Sequence, residues 1–276
     1  MPSEQEAGGA GAGWDQLRLD LVAEQASLDE LVAGLSPNQW AVPTPAPGWT
    51  VADHVGHLAW FDARAAMAVT DPEGFSRLAR SDLEADDPME AHLARSRSLS
   101  PAGLLAWWRK ERRRLAAALA RLEPGRRLAW YGPEMGARSF VTARLMEAWA
   151  HGQDVADALG RRRAPTDRLR HVAHLGVATR RYSYLARGLQ PPVSGVYVEL
   201  ASPSGGRWEW GWPGEADQVR GPAEDFCLVV TRRRHLDDTA LEVRGEGART
   251  WMAVAQAFAG PPGPGRAPGQ FPPPAP

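Results

Sequence analysis

The chain has 276 residues, 43% of them hydrophobic, and its 32 Lys+Arg against 33 Asp+Glu leave a formal net charge of −1 at pH 7. That balance gives no bulk attraction to nucleic acid or anionic lipid, so neither is an expected partner and a small molecule is. The opening MPSEQEAGGAGAG lacks a basic, apolar leader and no run reaches about 18 apolar residues, which predicts a cytoplasmic protein that does not span a membrane.

The length suits two modest domains. Residues 1–12, rich in Gly, Ala and Glu, read as a disordered N-terminus. From Trp14 to Leu35 the apolar positions Leu17, Leu21, Val22, Leu28 and Leu31 recur at helical spacing, and Ser36-Pro37 ends that first helix. A second helix starts after the turn PAPGW with Thr50 as N-cap and stops before Asp71-Pro72. Two shorter helical pieces follow. Ser100-Pro101 combines a cap with a proline at the first helical position and opens a third long helix that runs up to Pro124-Gly125. Ser139 is read as the cap of a fourth, FVTARLMEAWAHGQDVADAL, closed by Gly160. Four long helices with connections of varied length predict a bundle over residues 13–188, including a fifth helix from about Asp167 to Arg187 that Gly188 stops.

Beyond Pro191-Pro192 the period shortens to two. GVYVELASPSGGRWEWGW alternates Val196, Val198 and Leu200, then Trp208, Trp210 and Trp212, about a Ser-Gly-Gly turn, which is the pattern of a β-hairpin. With a helix at about Pro222 to Arg232, a strand in TALEVRG and a last helix ARTWMAVAQAF, residues 193–260 form a small α+β domain, followed by a Pro/Gly-rich tail over 261–276. The fold class is therefore α+β. The single cysteine, Cys227, excludes an intrachain disulfide and sits in the apolar run FCLVV as a packed small hydrophobe. Most of the 12 tryptophans are expected in the core.

The chemistry-bearing residues gather in the bundle. Glu147 and His151 are four apart on the fourth long helix and share a face; His57 lies mid-span on the second. If these helices are neighbours, the three side chains can share one divalent ion. Two imidazoles and a carboxylate leave coordination positions open, as a catalytic site requires, and zinc, nickel or iron all suit the set. Asp154, one turn past His151, can orient a ligand imidazole. His54 and His57, and separately His171 and His174, are also three apart, so spacing alone leaves rival pairs open.

GWTVADHVGHLAW and ARLMEAWAHGQDVADALG together resemble the paired motifs of the DinB-like family, in the branch typified by mycothiol-dependent maleylpyruvate isomerase. The resemblance implies a DinB-like four-helix bundle whose metal ligands fall on His57, Glu147 and His151, with Asp53 and Arg144 at further motif positions, Asp53 in a catalytic role and Arg144 beside the ligands. GPAEDFCLVVTRRRHLDD resembles the C-terminal domain of the same proteins, which places a functional arginine at Arg233, with Arg232 and Arg234 one register away. It further implies a low-molecular-weight thiol, mycothiol, as cosubstrate, added to an unsaturated or electrophilic acid by an isomerase or an S-transferase. Arg233 would hold the substrate carboxylate or enolate, and Trp60 and Trp149 are candidates for the pocket wall. The last stretch, from TRRRHLDD onward, is also similar to an actinobacterial subgroup associated with wyosine base formation in tRNA, but a tRNA binder needs a basic surface and the Arg triplets at 112–114, 161–163 and 232–234 are scattered. A hydrolase or lyase that activates water on the same ligands, and a non-catalytic metal-binding protein, are the other readings; the protein is expected as a monomer or homodimer.

Overall fold

The computed structural model describes residues 4–84 and 88–271. The chain divides into two compact units, Met1–Arg163 and Ala164–Pro276, and the fold is α+β, helical first and mixed second.

The first unit contains α1 (Glu4–Val32), α2 (Pro37–Trp40), α3 (Val51–Thr70), α4 (Pro72–Glu84), α5 (Pro88–Arg97), α6 (Pro101–Leu119), a small antiparallel pair β1 (Arg127–Leu128) and β2 (Met135–Gly136), and α7 (Ala137–Ala158). Cap chemistry fixes the two sharpest starts. Thr50 Oγ1 accepts from the Asp53 N–H while the Asp53 carboxylate accepts from the Thr50 N–H, and Ser100 Oγ accepts from the Gly103 N–H ahead of Pro101. Helix α3 is central: it packs on α5, α6 and α7, and α1 covers α6 and α7. Leu28, Val51, Val55, Leu58, Leu104, Trp108 and Val155 make the core between them, all almost fully buried.

The buried acids of this unit that meet guanidiniums illustrate how its polar groups are paired. Arg109 donates to Asp29 (Nε to Oδ2, 2.9 Å) and Arg112 is ion-paired with the same carboxylate. Asp62 accepts from Gln25 (2.9 Å), Trp108 Nε1 (3.3 Å) and Arg144 (3.2 Å), and Glu24 is ion-paired with Arg163.

The second unit contains α8 (Leu169–Ala178), α9 (Arg180–Leu185), β3 (Tyr197–Ala201), β4 (Arg207–Trp210), β5 (Gln218–Pro222), α10 (Ala223–Val230), β6 (Glu242–Arg244) and α11 (Glu246–Val254). The sheet order is β4-β3-β5-β6, with β3 parallel to β5 and the other pairs antiparallel. Helix α10 packs its Phe226, Cys227 and Val230 face between the sheet and α8.

Several expectations are corrected. Helix α1 reaches back to Glu4 through the stretch read as disordered, because extending an established helix costs far less than nucleating one. Helix α7 begins at Ala137, capped by Gly136, so Ser139 lies inside the first turn; the β1–β2 pair feeds the chain directly into it. The third long helix stops at Leu119, short of Pro124. The fifth helix is broken at Thr179, whose Oγ1 bonds back to the Leu175 and Gly176 carbonyls, and α8 packs in the second unit, which therefore starts at Ala164 and not near 193. The tail is held up to Phe271: Arg232 donates to the carbonyls of Gly263 and Pro264, and the Gly269 and Phe271 N–H groups donate to Asp238. Residues 272–276 of the expected tail lie outside the described residues.

Candidate metal centre

Helices α3 and α7 are direct neighbours, and their contact brings three of the sequence-selected side chains together. His57, Glu147 and His151 each offer a ligand atom within 4.8 Å of the others. Glu147 Oε2 lies 3.1 Å from His151 Nε2 and 3.7 Å from His57 Nε2, and the two imidazole centroids are 4.5 Å apart. The four-residue spacing on α7 stacks Glu147 under His151, and the i, i+4 geometry does the rest. His151 is buried while His57 and Glu147 are partly exposed, so the cluster opens to one side.

Electrostatics suit a cation. Burial, helped by the charge of His151, pushes the His57 imidazole down to about 3, so it is neutral at pH 7. Burial alone would raise the Glu147 carboxyl, but hydrogen bonds from His151 and His57 outweigh it and hold the group well below its ordinary value. Glu147 is thus an ionised carboxylate whose polar contacts are His57 and His151, with no guanidinium or ammonium in reach among the described residues. A neutral imidazole, a carboxylate and a second imidazole around one point form an N₂O donor set that fits a divalent ion.

Around it stands a second layer. Trp49 stacks on His151 (5.7 Å between centroids, 9° between planes) and lies 5.3 Å from His57; Phe61 packs on His57 at 4.6 Å. His54, fully buried, places Nδ1 at 2.8 Å from His151 Nδ1, and His92 on α5 places Nε2 at 3.2 Å from His57 Nδ1. His54, His151 and Asp154 also bring one ligand atom each within 4.8 Å of one another, with Asp154 Oδ2 3.9 Å from His54 Nδ1. Asp154 thus stands beside both His54 and His151.

Other expected residues lie elsewhere. Asp53 has one oxygen on the Thr50 cap and the other on Arg97 (2.9 Å), so it closes the capping box at the start of α3. Arg144 is buried against Asp62 and over the Phe61 ring, so it meets the cluster only through Phe61. Trp149 is buried in the bundle, as its place on α7 opposite the ligands requires, whereas Trp60 is partly exposed, 6.3 Å from His92. In the second unit, Arg233 donates to the Thr231 carbonyl and sits 6.0 Å from the Phe258 ring, while Arg234 covers Phe271 at 4.2 Å. The rival His174 accepts from Trp210 Nε1 (3.3 Å), and the pair His171–His174 joins no cluster of three ligating groups among the described residues. Cys227 is fully buried, and burial pushes its thiol well above the ordinary range, which removes it as a nucleophile. His92 carries no motif signal that would have singled it out, whereas Trp49 stands in the motif GWTVADHVGHLAW itself.

Residues 21–156 match the family model described as mycothiol maleylpyruvate isomerase N-terminal domain. Over 251 residues, 90% of this chain and 96% of theirs, the chain is 51% identical to two proteins of Mycobacterium tuberculosis, uncharacterized protein MT0041 (strain CDC 1551 / Oshkosh) and uncharacterized protein Rv0036c (strain ATCC 25618 / H37Rv). Crystal structures of the mycothiol-dependent maleylpyruvate isomerase and of a histidine-to-alanine mutant of it superpose with TM-scores of 0.55 and 0.54, covering 80% of this chain and 90% of each of those at 14% identity. That likeness shows the shared fold.

Proposed function

The chain belongs to the mycothiol maleylpyruvate isomerase N-terminal domain family of DinB-like proteins, and on that premise we propose that it is a metal-dependent enzyme using a low-molecular-weight thiol, mycothiol, as an isomerase or S-transferase of a small unsaturated or electrophilic acid. The observation that carries the reading is the ionised Glu147 in contact with imidazoles alone. His57, Glu147 and His151 would hold the ion, with zinc the best match to the donor set and nickel or iron compatible with it. A divalent ion supplies one thing here: it makes a thiol a thiolate near neutral pH.

The protein's own groups do the remaining work. Glu147 brings the one anionic ligand and His151 is held flat by Trp49. Trp49 and Phe61 place apolar rings beside both imidazoles and exclude water from that side. A thiolate adds to the conjugated carbon of such an acid, and the resemblance makes Arg233 the candidate guanidinium for pairing with a carboxylate or enolate. In an isomerase the carbon–sulfur bond then breaks after rotation and the thiolate leaves; in an S-transferase it is kept.

The test is metal content by plasma mass spectrometry on tag-free protein, with His57→Ala, Glu147→Ala and His151→Ala against His171→Ala as control, followed by turnover with and without mycothiol. One ion per chain, lost in the first three and kept in the control, together with thiol-dependent turnover, supports the reading. Metal-free wild type after reconstitution, or turnover indifferent to the thiol, overturns it.

A further inference from the structure

Metal-bound imidazoles commonly have their second nitrogen fixed by a carboxylate or a backbone carbonyl, which sets the tautomer and the ring orientation. Here both candidate ligands are backed by another imidazole. His151 turns Nε2 to Glu147 (3.1 Å) and Nδ1 to His54 Nδ1 (2.8 Å); His57 turns Nε2 to Glu147 (3.7 Å) and Nδ1 to His92 Nε2 (3.2 Å). The same arrangement occurs twice, on two rings from two helices, each time with the outer nitrogen engaged and the inner one toward one carboxylate oxygen. We propose that His54 and His92 are positioning residues that hold the Nε2 lone pairs of His151 and His57 toward a cation at Glu147. This rests on the metal-centre reading above.

The local sequence builds both contacts. His54 is one turn of α3 before His57 and its far side is set by a loop: His54 Nε2 is 2.8 Å from Thr44 Oγ1, which accepts from the Ala46 N–H and donates to the Trp49 carbonyl at 3.2 Å. With the Thr44 proton on Trp49 O, His54 Nε2–H donates to Thr44, His54 Nδ1 accepts from His151 Nδ1–H, and His151 Nε2 presents a bare lone pair. The alternative pattern shifts every proton one atom along the chain. Thr44 then donates to His54, His54 Nδ1–H to His151 Nδ1, and His151 Nε2–H to Glu147. Both patterns hold the same number of protons, so the row of Thr44, His54 and His151 can present either a proton or a lone pair to the cluster with no net uptake or release of a proton. A cation selects the first pattern. The other pair depends on a close helix approach: a Cβ at Gly56 would overlap the Ser96 side chain, so Gly56 lets α5 settle on α3 and carry His92 to His57.

The test uses zinc alone, titrated into metal-free protein against a chromogenic chelator, with nitrogen-15 NMR of the imidazoles. The ring-shaped but bond-less variants His54→Phe and His92→Phe should keep a stoichiometry of one ion and lose roughly 10- to 100-fold in affinity. His54→Asn, whose amide oxygen stands where Nδ1 was, and His92→Gln, whose oxygen stands where Nε2 was, should recover most of it, so the proposal does not hinge on how well the phenylalanine variants fold. In zinc-loaded wild type His151 and His57 should carry their protons on Nδ1. Wild-type protein that binds no zinc overturns the metal centre itself and this proposal with it. One ion in wild type with unchanged affinity in both phenylalanine variants overturns the positioning role alone. Complete loss of the ion in either variant makes that histidine a ligand, and a second ion lost with His54→Phe makes His54, His151 and Asp154 a site of their own; each of these also overturns the proposal.

Discussion

Two acidic side chains in the helical unit sit in opposite circumstances. Asp29 on α1 accepts from Arg109 and is ion-paired with Arg112; burial would raise its carboxyl, and the Arg109 hydrogen bond with the Arg112 and Arg109 charges outweighs burial and lowers it. Glu147 on α7 is also ionised, yet it meets only imidazoles. Asp62 and Glu24 likewise meet guanidiniums of the chain, Arg144 and Arg163, although at Asp62 burial outweighs its partners and raises the carboxyl. The contrast separates scaffold from function: a structural acid in this bundle brings its counter-charge within the chain, and Glu147 has a place for one that comes from outside.

The strongest way to break that contrast is Glu147→Gln. Removing the anionic ligand should weaken zinc binding by about 4 kcal/mol, near a thousandfold, in a chelator competition, with a smaller fall in the Tm of the metal-free protein as the contacts with His151 and His57 weaken. A fall in that metal-free Tm with zinc affinity unchanged would mean that Glu147 is scaffold after all. Gly56→Ala should cost about 3 kcal/mol in denaturant unfolding as α5, which carries Ser96, is forced away from α3, with zinc affinity falling alongside because His92 moves too. Asp29→Asn should destabilise by about 2 kcal/mol, since it strands two guanidiniums in a partly solvated clamp, and it should leave zinc affinity unchanged. The smallest effect is on acid stability. A carboxyl held below its unfolded value of 3.8 contributes stability that is complete above that pH and is lost as the pH falls through the lowered folded value. Tm should therefore decline below about pH 4, and less steeply in Asp29→Asn.

What the sequence reveals follows the range of each interaction. Thr50, Ser100-Pro101 and Gly160 announce helix ends because a cap needs only three or four neighbouring residues, and Gly160 indeed has φ +60°. The Ser-Gly-Gly turn between β3 and β4 is legible for the same reason. Strand β5, QVRGP, is not: it contains Gly and Pro and exists because it pairs in parallel with β3, from which β4 separates it in sequence. The tail reads as loose because nothing near it in sequence holds it, whereas Asp238 and Arg232 do so from about thirty residues away. In the centre, His57, Glu147 and His151 are marked by motif and helical spacing. His92 reaches them only through the Gly56–Ser96 approach, whereas Trp49 stands in the same motif as His57 and is carried to the centre by the loop that precedes α3. The capping-box role of Asp53, three residues after Thr50, is as local as the other caps.

The position of Trp49, face to face with His151 and 5.3 Å from His57, gives the molecule a built-in optical probe. An indole that close to an open-shell ion such as nickel or copper loses its emission, so loading the centre should dim one indole among the 12, and Trp49→Phe should erase that change without erasing the ion. Occupancy can then be followed by fluorescence in real time, with no dye and no known substrate.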